Sequence, residues 1–502
     1  MSLLFILLLT IISMIFFISR FGGKPYPPGP RRLPVIGNTL MMACLTHRGL
    51  AKLASRYGGL FYLRMGAQDI VVVSTPDMAR QILQTHQDQI SNRPTSIALD
   101  YLSYGRANMA FADYSPWWRQ MRKICVMKLF SRARVESWNS VRDELNHMLR
   151  DVASNANQAI NLGELVFGFT EKIIYRAAFG SRLSDGGTEF IKIMQEFSKL
   201  FGSFNVCDFV PWMSRADPQG LKARLRKARG SLDTFIDSII DQHIIKRKGK
   251  NIGDKDMVDE LLAFYTEEGE AKAESDDLQA TIKLTKNNIK GIIMDIMFGG
   301  TETVAAAIEW AMSELLKNPE ELRKTQEELS NVVGLHRCVE EGDLEKLTYL
   351  KCVLKETLRL HPPLPFLPRA AAEDVYVAGY YIPAGSRVII NLWAMGHDGK
   401  CWNDEPEAFK PSRFLDVGAP DYRNNNFEFI PFGTGRRSCP GMQLGLHAFE
   451  MGLAHLLHCF NWELPDGMKP SQVDMSDMYG LSAPKATRLI AVPTPRLLCP
   501  IC

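Results

Sequence analysis

Hydrophobic positions follow a helical spacing along most of this chain. In seven stretches the apolar side chains recur every three or four residues, which is the pattern of helices that bury one face. The stretches cover residues 115–150, 165–202, 222–247, 285–317, 319–333, 345–360 and 442–458. The pattern therefore predicts a mainly α-helical protein.

Two shorter regions are typical of strands instead. Residues 61–66 and 69–74 are rich in β-branched and aromatic side chains and flank a turn at 66–68, which predicts a hairpin. A second hairpin system is predicted over 375–386 and 387–390. Residues 246–277, rich in Lys, Glu, Asp and Gly, indicate a mobile surface connection. No internal repeat and no linker composition follow residue 45, so we expect one large domain over 46–502 with small β-sheets.

The first 19 residues differ from this pattern. From Ser2 to Ser19 no residue is charged and almost all are apolar. About 18 helical residues span about 27 Å, close to the hydrocarbon core of a bilayer. A cleaved signal peptide, the alternative, would need bases before the run and a small-residue cleavage site after it, whereas here the bases follow. The sequence predicts a single-pass anchor over 1–19 with the body on the cytosolic side, followed by a basic, proline-rich hinge over 20–45.

Composition and charge narrow the function classes. The 502 residues are 46% hydrophobic and 23% charged, as in a globular protein, and the net charge of +3 argues against a nucleic-acid partner. The first 68 residues carry eight bases and no acid, which leaves −5 for the rest. Of the ten cysteines only Cys499 and Cys502 form a C-x-x-C pair, and no second pair completes a four-ligand site, so a zinc cluster is not predicted.

One cysteine lies in a segment of unusual composition, FGTGRRSCPG at 432–441. A surface turn is one interpretation, and a dinucleotide loop is excluded because Ser438 occupies the third glycine position. In another interpretation, Gly433 and Gly435 permit a tight loop whose amides point at the sulfur of Cys439. Those amides, Arg437 and the positive end of the following helix would favour a thiolate. Such a thiolate is an axial ligand of haem.

The segment matches F-x-x-G-x-R-x-C-x-G, and on it the chain resembles the cytochrome P-450 monooxygenases. The resemblance implies their mainly α fold and haem b (iron protoporphyrin IX), with the Cys439 thiolate as axial ligand. It also implies that Phe432, Arg437 and Gly441 contact the cofactor.

A second motif, GGTET at 299–303, lies within the longest apolar helix. Each glycine there should destabilise the helix by about 1 kcal/mol, so something must need the missing side chains. Close helix packing is one explanation. The resemblance implies another, a loosened turn that admits dioxygen and water above the iron. Thr303 would then hold the oxygen species by a hydrogen bond and Glu302 would support proton delivery. Val304 stands where a second hydroxyl is common.

Two further motifs concern structural support and the haem carboxylates. Glu356 and Arg359, three residues apart, resemble the family's E-x-x-R, with Arg413 as the later partner in a buried network under the haem. Ser412 replaces a frequent glutamate, so one contact of that network is expected to be absent. Trp118 and Arg122 resemble W-x-x-x-R, and with them Arg369 and Arg437 match the positions that bind the haem propionates.

The segments expected to face the substrate lie near 96–111, 201–212, 295–303, 364–368 and 481–483. They are apolar and aromatic with a few hydroxyls: Phe111, Phe298, Phe366, Leu481, Ser96, Ser103 and Ser482. This composition suits a planar phenolic, and equally a terpenoid.

Closer resemblance comes from the proline hinge, the haem loop, residues 300–305 and the tail at 462–477 and 493–500. These are similar to plant phenylpropanoid P-450 enzymes, and most similar to the ferulate (coniferaldehyde) 5-hydroxylases of syringyl lignin synthesis. The resemblance implies 5-hydroxylation of ferulate, coniferaldehyde or coniferyl alcohol. The alternative is a flavonoid or hydroxycinnamoyl-ester 3′-hydroxylase. A haem-thiolate isomerase would not need Glu302 and Thr303, and a haem sensor or electron carrier is the non-enzymatic alternative.

Electrons must come from outside, because no nicotinamide or flavin fingerprint is present. The resemblance implies NADPH-cytochrome P-450 reductase as partner, with O2, a small aromatic substrate and membrane lipid, at the endoplasmic reticulum. Arg119, Lys123, Lys128 and Arg436 are the predicted docking cations for the reductase.

Overall fold

A computed structural model describes most of the chain. The described ranges are 24–131, 140–180, 187–203, 205–215, 217–248, 256–265, 283–402, 405–424, 426–478 and 480–499. The predicted anchor over 1–19 and most of the predicted surface connection over 246–277 lie outside these ranges.

The mainly helical prediction is confirmed. The helices are α1 (His47–Tyr57), α2 (Pro76–Arg80), α3 (Ile97–Leu102), α4 (Pro116–Ile124), α5 (Ser140–Ser154), α6 (Leu162–Phe179), α7 (Gly187–Gly202), α8 (Val206–Phe209), α9 (Leu221–Lys248), α10 (Met257–Leu262), α11 (Lys286–Lys317), α12 (Pro319–Val333), α13 (Thr348–Leu360), α14 (Leu392–Gly396) and α15 (Met442–Cys459). Helix α2 continues into a π-helical turn at Gln81–Thr85, and α4 into one at Cys125–Leu129.

Small sheets flank the helices. Their strands are β1 (Leu60–Met65), β2 (Gln68–Val73), β3 (Ile160–Asn161), β4 (Phe366–Ala370), β5 (Val375–Val377), β6 (Tyr380–Ile382), β7 (Arg387–Asn391), β8 (Phe460–Glu463) and β9 (Ile490–Pro495). The first hairpin is confirmed, with β1 antiparallel to β2. In the second, β5 and β6 pair as predicted, but β7 leaves them and pairs with β2 in parallel and with β4 in antiparallel register. Sequence cannot show this, because the partner strand lies more than 300 residues away.

Helix α11 is the centre of the helical part. Its 32 residues begin at a capping box formed by Thr285 and Asn288, in which each side chain accepts from the other's backbone amide. Helices α6, α15, α13 and α12 all contact it. In the part of the chain that the structure describes, α11 is also the helix long and apolar enough to cross a membrane, but two thirds of its apolar window is buried inside the protein. It is therefore a core helix.

The start of the described chain is attached to the sheets. Residues 24–29 form no helix or strand, in keeping with their proline content, and the carbonyls of Pro25 and Pro28 accept from the amides of Tyr381 and Tyr62. Gly29 has no room for a side chain, since an added Cβ would lie 2.1 Å from the Tyr62 carbonyl oxygen. These contacts fix the first described residues to β1 and β6.

The predicted network of Glu356, Arg359 and Arg413 is present between α13 and the 3-10 turn Pro411–Leu415. Arg359 Nε and Nη2 donate to the two Glu356 oxygens at 2.7 and 2.8 Å, and Arg413 Nε donates to Glu356 Oε1 at 2.9 Å. The Lys410 amide adds a fourth bond at 2.8 Å, and the Arg359 guanidinium also donates to the Gly396 carbonyl. Both Glu356 and Arg359 are fully buried, so the segment 396–413 is held by a desolvated ion pair.

We expect Glu356→Ala to lower the free energy of unfolding by about 3–5 kcal/mol, because it leaves the buried Arg359 charge without its counter-charge. The control is Glu320→Ala, which removes a surface partner of Arg323 and should leave the urea midpoint unchanged. Equal midpoints for the two variants would contradict the structural role of Glu356.

Candidate functional site

Cys439 lies at the end of a closed loop just before α15. The amide of Cys439 donates to the Phe432 carbonyl at 2.8 Å, which closes the loop. Gly433 and Gly435 have φ of 65° and 68°, a left-handed conformation that favours glycine. The loop is therefore the tight turn that the glycines predict, and α15 begins directly after Gly441.

Among the cysteines that the structure describes, only Cys439 has an exposed side chain. Burial by the surrounding protein nevertheless raises the pKa of its thiol, and the Gly441 amide and the Arg122 charge lower that pKa only in part. Cys439 is thus accessible to small molecules although many protein atoms surround it. The cation that lowers the pKa of this thiol is Arg122, and an additional effect of Arg437 on the thiolate stays a prediction.

Four guanidinium groups lie together beside this loop: Arg93, Arg122, Arg369 and Arg437. Burial lowers the pKa of Arg369, and the other three cations lower it further. The Arg369 side chain is 2% exposed, and its guanidinium donates to the Pro368 carbonyl at 3.1 Å. The other three guanidinium groups donate mainly to backbone carbonyls, so within the described ranges none of the four forms an ion pair with a carboxylate.

Trp118 and Arg122 share one face of α4, as their spacing predicts. Trp118 is 1% exposed, and its indole Nε1 donates to the Met109 carbonyl at 2.9 Å. The Arg437 guanidinium carbon lies 4.1 Å from the Trp118 ring centroid, and that of Arg122 lies 5.6 Å away. Arg122 Nη2 also donates to the Ser438 carbonyl at 2.6 Å, which ties the helix to the residue before Cys439.

The two adjacent glycines of α11 have different roles. An added Cβ at Gly300 would lie 2.3 Å from Ile174 Cδ1, so this glycine permits close packing on α6. At Gly299 an added Cβ meets no atom within 4 Å, and the position is exposed in the middle of a core helix. The helix runs unbroken through this turn, so the expected loosening is not observed. Thr303 Oγ1 instead donates to the Gly299 carbonyl at 2.6 Å.

Glu302 points to another helix. Its Oε2 accepts from Ser198 Oγ on α7 at 2.9 Å. Although Glu302 and Thr303 are adjacent in sequence, their side chains bind different partners, Ser198 of α7 and the Gly299 carbonyl.

The predicted substrate-facing residues separate into two groups. Phe111 and Phe298 converge on Phe201 of α7, with ring centroids 5.6 and 5.3 Å from the Phe201 ring. Phe366 does not join them, because its ring packs against His47, 6.3 Å away.

The hydroxyls of Ser96 and Ser103 are both engaged with the backbone of α3. Ser96 Oγ accepts from the Leu99 amide at 3.1 Å, and Ser103 Oγ donates to the Leu99 carbonyl at 2.5 Å. The space beside the three phenylalanines is thus more apolar than the sequence indicates.

Sequence reasoning missed two charged residues. Arg93 was not identified, and its position before a proline in a loop gives no signal for its role. Asp295 was included only within a lining segment, although a lone carboxylate in the apolar run IIMDIMF of α11 is itself a signal. Its Oδ2 accepts from the amides of Met109 and Ala110, at 2.8 and 2.9 Å.

The residues present fit a flat cofactor that carries carboxylates and a metal ion, with the Cys439 sulfur available to bind the metal. Buried cations without carboxylate partners need an anionic ligand, because an unpaired buried charge is costly. The accessible sulfur of Cys439 suits a metal, which deprotonates a coordinating thiol. The open face of α11 at Gly299 leaves space on the side of the helix that Thr303 shares. Haem meets these three requirements.

Comparisons with known proteins agree with this geometry. The family model described as Cytochrome P450 matches residues 27–490. Cytochrome P450 84A1 of Arabidopsis thaliana is 60% identical over 98% of this chain and 96% of its own length, and Cytochrome P450 84A4 of the same plant is 57% identical over 95% and 94%. A flavonoid 3′-monooxygenase of Petunia hybrida is 38% identical over 99% and 97%.

The fold has solved counterparts. The structure of a zebra fish cytochrome P450 with abiraterone covers 90% of this chain and 99% of its own, with a TM-score of 0.74 and 25% identity. Since the family model spans most of the chain and full-length relatives reach 60% identity, the chain belongs to the cytochrome P450 family.

Proposed function

We propose that this P450 monooxygenase binds haem between α11 and the loop 432–441, where the Cys439 thiolate would bind the iron. The single observation that carries the proposal is the exposed Cys439 beside a cluster of four guanidinium groups, of which those of Arg369 and Arg437 are buried. When bound, haem supplies the iron at which dioxygen is reduced, so that one oxygen atom enters the substrate and the other leaves as water. Two electrons and two protons complete that balance.

The guanidinium cluster binds the haem carboxylates. Arg369 and Arg437 are the most buried residues of the cluster. Pairing them with two carboxylates therefore offsets the largest part of the free-energy cost of burying unpaired charge. Arg122 bridges the two parts of the site, since it binds the Ser438 carbonyl and lies beside Trp118. Phe432 and Gly441 fix the loop around Cys439 through the Phe432 carbonyl and the Gly441 amide.

Thr303 donates protons on the open side of α11, and Glu302 supports proton delivery from its contact with α7. Thr303 Oγ1 holds a proton that it donates to the Gly299 carbonyl, one turn away on the open face. The same hydroxyl can turn toward a ligand above Gly299 and donate there. Glu302 is held by Ser198 Oγ, so its carboxylate accepts and passes protons from a fixed position.

We infer that the substrate is a phenylpropanoid hydroxylated at ring position 5, as ferulate, coniferaldehyde or coniferyl alcohol. The similarity of the hinge, residues 300–305 and the tail to the ferulate 5-hydroxylases supports this. The aromatic group of Phe111, Phe201 and Phe298 is apolar and suits a planar ring. The relative named for flavonoid 3′-hydroxylation is only 38% identical, so that alternative is less favoured.

Electrons come from NADPH through a reductase docked at the surface of α4. Arg119, Lys123 and Lys128 are exposed there and free to meet an acidic partner surface. Arg436 is less suited than predicted, because it forms an ion pair with Asp88. The anchor over 1–19 would place this surface on the cytosolic side of the endoplasmic reticulum membrane.

Cys439→Ala should abolish the thiolate-type CO difference spectrum, because it removes the proposed ligand atom. Cys44→Ala is the matched control, since it deletes a thiol far along the chain and should leave the spectrum intact. A normal spectrum in Cys439→Ala would exclude the ligand assignment.

Thr303→Ala should raise the ratio of released peroxide to hydroxylated product several-fold, because proton delivery loses its hydroxyl. Both products are quantified in the same reaction. Thr303→Ser should restore the ratio, whereas Thr301→Val, which changes a buried hydroxyl with no partner in the described chain, should not alter it. Unchanged coupling in Thr303→Ala would remove Thr303 from the mechanism.

Turnover of ferulate, coniferaldehyde, coniferyl alcohol and a flavanone, compared with one reductase preparation, tests the substrate class. We expect 5-hydroxylated products from the phenylpropanoids and little product from the flavanone. Faster turnover of the flavanone would favour the 3′-hydroxylase, and normal CO binding without turnover of any substrate would favour a haem sensor.

A further inference from the structure

The loop 107–112 is attached to α11 by its backbone amides. Asp295 Oδ2 accepts from the Met109 and Ala110 amides at 2.8 and 2.9 Å. One turn earlier, an added Cβ at Gly291 would lie 2.9 Å from Asn108 Cβ, so the loop lies against the helix. The carboxylate of Asp295 therefore meets a loop that approaches closely enough to donate to it directly.

The same loop is attached to the cation cluster by its carbonyls. Trp118 Nε1 donates to the Met109 carbonyl, Arg93 Nε to that of Ala110 at 2.8 Å, and Arg437 Nη2 to that of Ala112 at 2.6 Å. Amides on one side and carbonyls on the other thus fix the backbone between an acid and a set of cations. If the acid is lost, the loop keeps its bonds to the cations and loses those to α11.

Asn108 extends the influence of Asp295 to an aromatic ring. Asn108 Nδ2 donates to Asp295 Oδ1 at 2.6 Å, so its Oδ1 faces the other way and accepts from the Phe111 amide at 3.2 Å. The Phe111 ring stacks on Phe201 at an interplanar angle of 27°. Because a carboxylate only accepts, it sets which end of the Asn108 amide faces Phe111.

We propose that Asp295 is a positioning residue for the substrate. Through the Met109 and Ala110 amides and Asn108, it holds the loop 107–112 on α11 and so fixes the Phe111 ring. This rests on the proposed function, in which Phe111 lines the space for a planar aromatic substrate. Asp295 acts through the loop and does not itself touch the substrate.

The electrostatics of the carboxylate agree with this role. Burial raises the pKa of Asp295 to about 7, although the Ala110 amide, Asn108, the Met109 amide and the charge of Arg93 all lower it. The loop therefore supplies three of the groups that stabilise the charged form. Releasing the loop would leave the carboxylate without them, so loop and carboxylate stabilise each other.

The experiment uses the full-length holoenzyme and Asp295→Asn. Asparagine keeps a single acceptor oxygen, so either the Met109 and Ala110 amides lose their acceptor, or Asn108 Nδ2 loses it and the Asn108 amide turns away from the Phe111 amide. Hydrogen exchange of the amides at 109–111 that lose their acceptor should accelerate by about tenfold or more. With phenylpropanoid substrates, KM should rise about tenfold while kcat changes little, as expected when uniform substrate binding is lost.

The matched control is Asp113→Asn, which removes the same charge from the following residues of the loop. Asp113 is half exposed, binds Arg106 and has no hydrogen bond to the two amides. Exchange of Met109 and Ala110 and the KM should both stay as in the native enzyme. Haem content is measured in every variant, so that cofactor loss is distinguished from a change in the loop.

The outcomes separate this proposal from the proposed function. Unchanged exchange in Asp295→Asn would show that Asp295 does not hold the loop and would overturn the proposal. Faster exchange with unchanged KM would overturn the positioning role. If the native enzyme hydroxylates no phenylpropanoid while the exchange result holds, the substrate proposal fails and the attachment of the loop by Asp295 stands.

Discussion

The site depends on a cluster of four guanidinium groups, two of them buried, that have no carboxylate ion pair within the described residues. Arg93, Arg122, Arg369 and Arg437 come from a loop, α4, β4 and the loop before α15, so four distant parts of the chain converge on one small volume. Their mutual repulsion opposes folding, and backbone carbonyls offset only part of that cost. An anionic ligand therefore completes the fold of this region as well as its chemistry. This couples cofactor binding to the stability of the loop that carries Cys439.

Helix α11 carries acids at a regular spacing. Asp295, Glu302 and Glu309 lie seven residues apart, so they follow one stripe that drifts by about 20° per step. Each binds a different segment. Asp295 binds the loop 107–112, and Glu302 binds helix α7. Glu309 binds the Arg488 side chain and the Leu489 amide near β9. One rigid helix thus sets the positions of three segments, two of which bring residues toward the predicted substrate region.

Sequence predicted the parts of this site that depend on local spacing. The loop around Cys439, the Trp118 and Arg122 pair and the Glu356 and Arg359 pair each follow from a motif a few residues long. The helices were predicted for the same reason, because their periodicity is local. The missed features are pairings between distant segments: the strand β7 beside β2, Arg93 beside Arg369, and Asp295 beside Met109. No local pattern encodes such a partner, so only the three-dimensional structure reveals them.

The two glycines of α11 show how one motif can satisfy two constraints. The cost of two adjacent glycines in a helix requires a compensation, and the alternatives are close packing and a loosened turn that admits dioxygen and water. Gly300 shows the close packing, since it lies against Ile174 of α6. The loosened turn is not observed, and Gly299 instead leaves its side of an unbroken helix open. Close packing at Gly300 fixes the distance between α6 and α11. Because Gly299 is the neighbouring residue of the same helix, this packing also fixes the position of the open face at Gly299.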